Sequence, residues 1–416
     1  MSELKIELIA IGDEILIGHT LDTNSNWIAT RLVEQGFPLR WISVIGDNAS
    51  DLRHQLKRAW NRADLVLLTG GLGPTHDDIT RPVITSFFED KLETRDDITK
   101  TIQARFAARD SGPPPGYEIL AEFPSRARVI PNNHGSAPGI HYSLDERDLI
   151  AMPGVPVEMR GMMDGYVLPL LEKRRDELYR FMIIRTAGIG ESNLSHLIGD
   201  AEQFEPVKLA YLPSIDHGVT LRIYMSGRDE TQIQDLLVQT EKTIHERAGD
   251  YIYATGKTDF EQVIMGMLES AGMKLALAES CTGGMIADRI VGIPGSSKVF
   301  DRGFVTYSNQ AKIEMLGVNE LILEKHGAVS AETAVAMAEG ALKNSNADIA
   351  VSVTGIAGPT GDTADKPIGL TYIAVADERG NEVKHYQFIG DRDSNRRRSA
   401  FTALLLLWNR LKKLSG

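Results

Sequence analysis

Short apolar runs that stop at a glycine or an acidic residue recur along this chain, and helical patterns follow them. The run KIELIAI ends at GDE, LVLLTG continues into GLGPTHDD, and DLIAMPG ends in a proline–glycine turn. Such runs are typical of strands buried on both faces, and strands that alternate with helices predict a mostly parallel sheet covered by helices. These sheets bind ligands beyond the carboxyl ends of their strands. We therefore expect three loops to meet at one edge of the sheet: residues 12–14, 70–78 and 152–158.

The same patterns divide the chain into three domains. Residues 1–172, the first domain, and residues 256–416, the last domain, alternate strand and helix patterns and are predicted to be layered α/β domains. Residues 175–253, the middle domain, contain strand patterns and one amphipathic helix near 230–247, which predicts a small α+β domain. The predicted fold class is therefore α/β, with two layered domains joined by a smaller α+β domain. Strands of the last domain are predicted at 274–280, 303–309 and 347–355.

Charge and composition narrow the function classes. The chain of 416 residues has a formal net charge of -12, which argues against a general nucleic-acid binder because such proteins carry a basic face. The single cysteine, Cys281, excludes an intrachain disulfide and a zinc site made of cysteines. No apolar run approaches the roughly 20 residues that span a bilayer, and the amino terminus lacks the basic flank of a signal peptide. We therefore expect a cytoplasmic protein that does not contact a membrane.

The loop that follows LVLLTG combines glycines with acids. Backbone N–H groups in a glycine loop that leads into a helix are suitable donors for phosphate. Carboxylates supply the hard oxygen ligands that Mg²⁺ and similar ions prefer, and the candidates are Asp13, Glu14, Asp77 and Asp78. A metal ion here would neutralise a bridging phosphate and activate a water molecule. The alternative is a tight turn whose acids are simply solvated.

Four segments of the first domain together resemble the molybdopterin-binding domain family in its CinA-type branch. They are GDEILIGHTLDTN at 12–24, TGGLGPTHDDITR at 69–81, PNNHGSAPG at 131–139 and MPGVPVEM at 152–159. The resemblance implies hydrolysis of ADP-ribose to AMP and ribose 5-phosphate, with a divalent metal (Mg, Mn or Co) and potassium. Relatives of the same fold adenylylate molybdopterin or insert molybdenum, so molybdopterin binding is the alternative for this domain.

The residues that match the motifs of this family fall into two groups. The candidates for nucleotide binding are Gly70, Gly71, Gly73, Asn132, Gly135, Pro153 and Gly154. The candidates for the metal site are Asp13, Glu14, Asp78 and Glu158. The matching motifs do not decide which of these acids is a ligand and which is a base.

The polar segments of the last domain contain hydroxyls, one lysine and several arginines. They are AESCTGG, GSSKVFDRGFVTYSNQAK, TGIAGP and GDRDSNRRR. A serine needs a base to become a nucleophile, and Lys312 serves if burial or a nearby cation lowers its pKa. Ser–Lys pairs are an established variant of the catalytic triad. Taken alone, serines in glycine loops are more often turn residues, and the arginine run at 396–398 is typical of a solvated helix face.

In the same order along the last domain, these segments resemble the CinA C-terminal domain family. The resemblance implies a nicotinamide mononucleotide deamidase, which hydrolyses the carboxamide to nicotinate mononucleotide and ammonia without a cofactor. It implies Ser297 as the nucleophile and Lys312 as its base. It also implies Tyr307 as a hydroxyl beside them, and Arg392 near the substrate or the developing charge. Ser280 is the alternative nucleophile.

Further residues of the last domain are candidates for substrate binding. The turn at 282–284 leads into a helix whose N–H groups suit the phosphate of the substrate or the oxyanion. A second glycine turn follows the strand predicted at 347–355. The candidates are Ser280, Cys281, Thr282, Gly283, Gly284, Thr354 and Gly355.

The middle domain resembles the KH-like domain of CinA proteins. KH modules bind RNA through a GXXG loop, and the segment GIGES at 188–192 only weakly approximates that loop. We therefore expect a spacer or a dimer contact rather than a nucleic-acid site. Together the domains predict a bifunctional hydrolase of pyridine-nucleotide recycling that acts on nicotinamide mononucleotide and ADP-ribose as a homodimer. The alternative from another class is a competence or recombination accessory protein, for which salt-sensitive DNA binding is expected.

Overall fold

The structure is a computed structural model that describes residues 4–107, 116–175 and 177–415. The chain divides into two compact units, Met1–Arg180 with Ser226–Glu230 and Phe181–Met225 with Thr231–Gly416. The first unit contains the first domain, and the second contains most of the middle domain together with the last domain. Helices and mixed sheets build both units, which confirms the predicted α/β fold class. Among the described residues, no helix has both the length and the apolar content that a membrane span requires.

The first domain is built from short strands and helices, and the apolar runs at 5–11 and 65–70 form two of the strands as predicted. Its strands are β1 (Ile6–Ile11), β2 (Leu39–Ile45), β3 (Leu65–Thr69), β4 (Leu92–Thr94), β5 (Glu122–Pro124), β6 (Arg128–Ile130), β7 (Gly139–Leu144) and β8 (Arg147–Met152). Its helices are α1 (Asp13–Leu16), α2 (Thr23–Glu34), α3 (Ala49–Arg62), α4 (Thr80–Phe87), α5 (Asp96–Ala107), α6 (Pro156–Met162) and α7 (Leu168–Glu172).

Six of these strands form one sheet in the order β2-β1-β3-β8-β7-β6. Strands β2, β1, β3 and β8 are parallel, whereas β7 is antiparallel to β8 and β6 is antiparallel to β7. Alternate residues of β3 face opposite sides of the sheet. Val66 and Leu68 pack in the cluster that includes α3 and α4, and Leu65 and Leu67 pack in the cluster that includes α2 and α6. Both faces are therefore buried, and the loops after β1, β2, β3 and β8 lie at one edge.

The middle domain contains a four-stranded sheet in the order β10-β11-β9-β12. Its strands are β9 (Leu178–Thr186), β10 (Lys208–Ser214), β11 (Gly218–Gly227) and β12 (Ile252–Thr255), and its helices are α8 (Glu191–Ile198) and α9 (Glu230–Ala248). The pairs β10–β11 and β9–β12 are antiparallel. Residues 215–217 form the turn between β10 and β11, which we call the β10–β11 turn.

The last domain has a five-stranded sheet in the order β14-β13-β15-β16-β17, in which the first three strands are parallel. Its strands are β13 (Leu275–Glu279), β14 (Phe300–Val305), β15 (Ile349–Gly355), β16 (Leu370–Asp377) and β17 (Gly380–Gln387). Its helices are α10 (Phe260–Ala271), α11 (Met285–Val291), α12 (Asn309–Leu316), α13 (Glu320–His326), α14 (Ala331–Lys343) and α15 (Arg392–Ser415). Helices α10, α11 and α15 cover one face of this sheet, and α12 and α14 cover the other.

The strand predicted at 303–309 lies earlier in the chain than expected. It runs from Phe300 to Val305, and α12 already begins at Asn309. The first half of β14 was not predicted because it contains the polar residues Asp301 and Arg302. This strand lies at the edge of the sheet, where several of its residues are exposed, so its sequence lacks a continuous apolar run. Residues 306–308 are consequently a loop at the carboxyl end of the parallel strands.

An aromatic cluster connects the middle and last domains within the second unit. Tyr253 of β12 packs against Phe260 of α10 with ring centroids 4.7 Å apart. Phe260 in turn contacts Phe401 and Trp408 of α15, at centroid distances of 5.4 and 5.7 Å. All four rings are buried. Helix α15 is thereby packed against a core to which both domains contribute.

Candidate active sites

The first domain has a cavity of about 530 Å³ at the carboxyl ends of its parallel strands. The loops after β1, β3 and β8 all reach it. The predicted site residues that line it are Glu14, Gly70, Gly71, Gly73, Asp77, Asp78, Pro153, Gly154 and Glu158. Asn132 and Gly135 line a neighbouring cavity of about 280 Å³ instead.

Asp78 holds the glycine loop of this cavity in shape. Its Oδ1 accepts the N–H of Gly73 at 2.7 Å, and its Oδ2 accepts the N–H and the hydroxyl of Thr75 at 2.8 and 2.5 Å. Gly70 has a φ of 113°, and a Cβ there would lie 2.2 Å from the carbonyl oxygen of Ile11. Only glycine fits this close approach. Both oxygens of Asp78 are therefore engaged in organising the loop.

Asn132 and Glu158 form a second polar corner. The Nδ2 of Asn132 donates to Glu158 Oε2 at 2.5 Å, and its Oδ1 accepts the N–H of Gly135 at 2.7 Å. Arg105 of α5 donates to the carbonyl oxygens of Asn132 and Gly135, at 3.0 and 2.6 Å. A Cβ on Gly135 would lie 1.8 Å from the carboxyl carbon of Glu158. Asn132 and Gly135 thus position Glu158 rather than line the cavity themselves.

Asp47 also lines this cavity and was missed in the sequence analysis. The N–H of Asp13 donates to Asp47 Oδ2 at 3.0 Å, and the N–H of Asp47 donates to Asp13 Oδ1 at 3.1 Å. Burial, together with the negative charges of Asp13, Glu14 and Asp77, raises the pKa of Asp47. A signal for Asp47 was present, because it follows the predicted strand at 39–45 as Asp13 follows β1.

The predicted metal residues do not form a complete set of ligands by themselves. Within residues 4–107, 116–175 and 177–415, no three His, Cys, Asp or Glu side chains form a group that could hold a metal ion. The donors around the cavity are nevertheless carboxylate oxygens, and the negative charges of Asp13, Glu14 and Asp77 add to the effect of burial in raising the pKa of Asp47. Mg²⁺ is usually held by one or two carboxylates together with phosphates of the substrate. The residues present fit a shared site of that kind.

A second cavity, of about 210 Å³, lies in the last domain at the carboxyl ends of β13 and β15. The predicted site residues that line it are Ser280, Cys281, Tyr307, Lys312, Thr354, Gly355 and Arg392. The other lining residues, which sequence patterns did not indicate, belong to the loops after α13 and β15. They are Ala328, Val329, Ile356, Ala357, Gly358, Thr360 and Gly361.

Lys312 is buried in this cavity beside Ser280. Its Nζ donates to the carbonyl oxygen of Thr306 at 2.7 Å and to Ser280 Oγ at 3.1 Å. The lysine is only 1% exposed, and burial lowers its pKa to about 8. A lysine with such a pKa is partly neutral near neutral pH and accepts a proton from a hydroxyl within hydrogen-bond reach.

Ser297 lies away from this site, so the prediction that Lys312 activates Ser297 is wrong. Ser297 is exposed in a short turn, Ser296–Lys298, that precedes β14. Ser280 follows β13, which is parallel to β14. A strand of this length separates its two ends by about 20 Å. The alternative nucleophile, Ser280, is the serine that Lys312 contacts.

The turn at 282–284 is not free to bind an anion. The carboxylate of Glu279, which is 1% exposed, accepts the N–H groups of Gly284 and Ile286 at 2.9 and 3.2 Å. The N–H of Gly283 donates to the carbonyl oxygen of Ser280 at 3.2 Å. The prediction that Gly283 and Gly284 donate to the substrate is therefore wrong, because an internal carboxylate already occupies the start of α11. The fully buried Thr282 does not line the cavity either.

Arg392 and Tyr307 form the polar rim of the cavity. Arg392 Nη1 donates to the carbonyl oxygen of Gly358 at 2.7 Å, and its Nη2 donates to the hydroxyl of Tyr307 at 3.1 Å. Both acceptors are neutral, which leaves the charge of the guanidinium available to an anionic group of a ligand. Tyr307 is 64% exposed and therefore lies at the mouth.

Three segments of the chain match known protein families, in the order expected from the sequence. Residues 7–173 match a family described as a probable molybdopterin binding domain. Residues 182–254 match the KH domain of damage-inducible protein CinA, and residues 257–411 match the CinA C-terminal domain.

Relatives match over nearly the whole chain. A putative competence-damage inducible protein of Caldicellulosiruptor bescii is 41% identical over 388 residues, which cover 93% of this chain and 94% of that protein. A protein of the same description from Clostridium botulinum is 38% identical over 411 residues, which cover 98% of this chain and 100% of that protein.

Solved structures match smaller parts of the chain. A competence/damage inducible protein of Agrobacterium tumefaciens is 45% identical, covers 37% of this chain and 93% of its own, and has a TM-score of 0.35. The protein CinA of Thermoplasma acidophilum is 30% identical, covers 42% of this chain and 99% of its own, and has a TM-score of 0.37. The full-length relatives and the three family segments together confirm the predicted resemblance, and the chain belongs to the CinA family.

Proposed function

We propose that the last domain is an amidohydrolase that deamidates nicotinamide mononucleotide, with Ser280 as the nucleophile and Lys312 as its base. The contact of 3.1 Å between Lys312 Nζ and Ser280 Oγ carries this proposal. A hydroxyl beside a buried lysine of lowered pKa suits attack on an acyl carbon. The choice of substrate rests on the resemblance to the CinA C-terminal domain family.

Lys312 moves the protons in the proposed reaction. Neutral Lys312 takes the proton of Ser280 as Oγ bonds to the carboxamide carbon of the substrate. The carbon–nitrogen bond then breaks, and ammonia leaves with the proton that Lys312 held. Water attacks the resulting ester and loses a proton to Lys312, which returns it to Ser280 as nicotinate mononucleotide departs. Arg392 binds the phosphate of the substrate or stabilises the oxyanion.

For the first domain, we propose hydrolysis of ADP-ribose to AMP and ribose 5-phosphate. The glycine loop after β3 offers N–H groups to the pyrophosphate, and Glu14, Asp47 and Glu158 line the same cavity. One or two of these carboxylates would hold a divalent ion (Mg, Mn or Co) together with the phosphates. A bound ion supplies charge neutralisation and an activated water. Dependence on potassium belongs to the same proposal, which rests on the family resemblance.

One experiment tests both activities. The purified chain is assayed for ammonia release from nicotinamide mononucleotide and for AMP release from ADP-ribose, each with metal and with EDTA. We expect EDTA to abolish AMP release and to change ammonia release by less than about twofold, because only the first site uses a metal. Absence of ammonia release overturns the amidase proposal. Tight molybdopterin binding without turnover of ADP-ribose favours the alternative for the first domain.

The pH dependence of ammonia release should follow the state of Lys312. Its lowered pKa of about 8 means that the base is protonated, and inactive, at lower pH. We expect kcat/KM to rise about tenfold per pH unit below this pKa and to level off above it. A pH series in which circular dichroism confirms folding measures this. A profile that falls with rising pH across this range contradicts the role of Lys312 as a base.

A further inference from the structure

The first two turns of α15 hold two of the loops that line the cavity of the last domain. Arg392 donates to the carbonyl oxygen of Gly358 and to the hydroxyl of Tyr307. Asn395, which is 1% exposed, donates from Nδ2 to the carbonyl oxygen of Ala357 at 3.0 Å. The loops after β14 and β15 are therefore attached to the start of the same helix.

Arg396 attaches the third loop, which carries the proposed nucleophile. Its Nε donates to the carbonyl oxygen of Cys281 at 3.2 Å, and its Nη2 donates to that of Thr282 at 2.9 Å. These are the two residues after Ser280. An arginine bound to successive carbonyl groups fixes the path of the backbone between them. Arg396 therefore connects the backbone that follows Ser280 to the start of α15.

The next residue of α15, Arg397, contacts the middle domain. Successive residues of a helix point about 100° apart, so Arg396 and Arg397 face different neighbours. Arg397 forms a bidentate ion pair with Asp216 of the β10–β11 turn. Its Nε donates to Oδ1 at 3.0 Å, and its Nη2 donates to Oδ2. Hydrogen bonding to Arg397 holds the pKa of Asp216 below its usual range. The prediction that residues 396–398 are a solvated face is thus wrong for the first two arginines.

A second arginine, from α11, also binds the β10–β11 turn. Arg289 of α11 donates from Nη2 to the backbone carbonyl oxygen of Asp216 at 2.6 Å. The same guanidinium donates from Nε to Glu261 of α10 at 2.5 Å, and that carboxylate is 5% exposed. The turn therefore contacts both helices that adjoin the loop of Ser280, because α11 follows this loop and α15 binds it.

We propose that Asp216 of the middle domain is a positioning residue for the Ser280–Lys312 site. Its pair with Arg397 fixes the start of α15, and the start of α15 fixes three of the loops around the cavity. The middle domain thereby supports the reaction without contacting the substrate. The kinetic consequence rests on the proposed amidase function, whereas the effect on the loop at 280–282 needs no substrate.

Kinetics of the full chain give the first test. We expect Asp216→Ala to lower kcat for nicotinamide mononucleotide about tenfold and to leave KM within about twofold, because a displaced Ser280 attacks less effectively while the binding groups remain. Lys412→Gln is the matched control. Lys412, near the other end of α15, also contacts the middle domain, donating to the carbonyl oxygen of Asp250 at 3.0 Å. This variant should keep the wild-type kcat.

A double-mutant cycle tests whether Asp216 acts through Arg397. We expect Arg397→Met to lower kcat as much as Asp216→Ala, and the double variant to be no slower than either one. Asp216→Asn, which removes the charge and keeps the size of the side chain, is measured beside them and should lower kcat about threefold. If Asp216→Ala does not fold, the kcat of Asp216→Asn decides whether Asp216 supports the reaction. Additive losses in the double variant overturn the proposed route.

The only cysteine of the chain reports on the loop without any substrate. Cys281 is 7% exposed, and burial raises its thiol pKa to about 12, so its alkylation by iodoacetamide in the wild type should be slow. We expect Asp216→Ala to accelerate alkylation about tenfold, because local opening becomes more frequent. Lys412→Gln should not change the rate.

The two readouts separate the two proposals. If the wild type releases no ammonia from nicotinamide mononucleotide, the amidase function fails and the alkylation rate alone decides the role of Asp216. Unchanged alkylation in both Asp216 variants overturns the positioning role, even if kcat falls. Equal effects of Lys412→Gln and Asp216→Ala also overturn it, because general loosening of the two domains then explains both.

Discussion

Alanine in place of Ser280 should lower kcat for ammonia release from nicotinamide mononucleotide by about a thousandfold or more, as expected when a nucleophile is removed. Ser280 is the only serine that lines the described cavity, and Lys312 Nζ lies 3.1 Å from its Oγ. Without this hydroxyl, the neutral lysine has no oxygen to activate. KM should change little, because the side chain that is removed is small and the rim of the cavity is untouched. Steady-state ammonia assays on the folded variant measure both constants.

Ser297→Ala is the matched control for this substitution. The side chain of Ser297 is exposed before β14, and surface changes of this kind usually have small effects. We expect kcat within about twofold of the wild-type value. A loss of turnover in Ser297→Ala with full turnover in Ser280→Ala would show that the family resemblance, which implies Ser297, is a better guide than the geometry.

Replacing Arg62 by methionine should lower the free energy of unfolding of the first domain by about 2–3 kcal/mol. Glu7 is fully buried, but the side chain of Arg62 is 32% exposed, so the loss lies below the roughly 3–5 kcal/mol seen for fully buried ion pairs. Glu7 lies in the centre of β1 and is 0% exposed. Its carboxylate accepts two hydrogen bonds from Arg62, at 2.7 and 2.8 Å, and one from Gln55 at 2.7 Å. The substitution leaves a buried negative charge without its cation.

Urea unfolding followed by tryptophan fluorescence measures this effect, because Trp27, Trp41 and Trp60 all lie in the first domain. Arg58→Met is the matched control on the same helix, α3. Arg58 is exposed, so we expect its replacement to change the free energy of unfolding by less than about 0.5 kcal/mol. Equal free energies of unfolding for the two variants would show that Arg62 does not stabilise the buried carboxylate of Glu7.

The strands that sequence patterns predicted well are those buried on both faces. The runs that form β1 and β3 are almost entirely apolar, so their pattern is unambiguous. Strand β7 was missed because its sequence, GIHYSL, contains the polar residue His141. This histidine is buried and bonded to Asp148 and Tyr166, at 2.8 Å each. The hydrogen bonds that allow His141 to be buried come from residues outside its own strand, so a local pattern does not reveal that this position is buried.

Prediction of the sites failed where it relied on motifs matched along the chain. Ser280 and Ser297 both lie in glycine-containing turns before Lys312, and the family resemblance favoured Ser297. The distinction comes from the register of the parallel strands, which puts one serine at each end of the sheet. Asp47 was recoverable in principle, since the rule that identified Asp13 applies equally to the next strand. The contacts of Arg396 and Arg397 could not be predicted from the sequence, because their partners lie more than a hundred residues away in the chain.

The carboxylate of Glu279 places a negative charge at the start of α11, next to the loop of Ser280. In a phosphate-binding loop, the bound phosphate has this place. In a phosphate-binding loop that charge arrives with the ligand, and the loop becomes ordered at that moment. Here it is part of the chain and is present before any ligand. Binding therefore costs no entropy for ordering this segment, and the hydroxyl of Ser280 lies in the same place for every ligand that enters the cavity. Discrimination between ligands must come from the other walls of the cavity, the loops after α13 and β15 and the rim at Arg392.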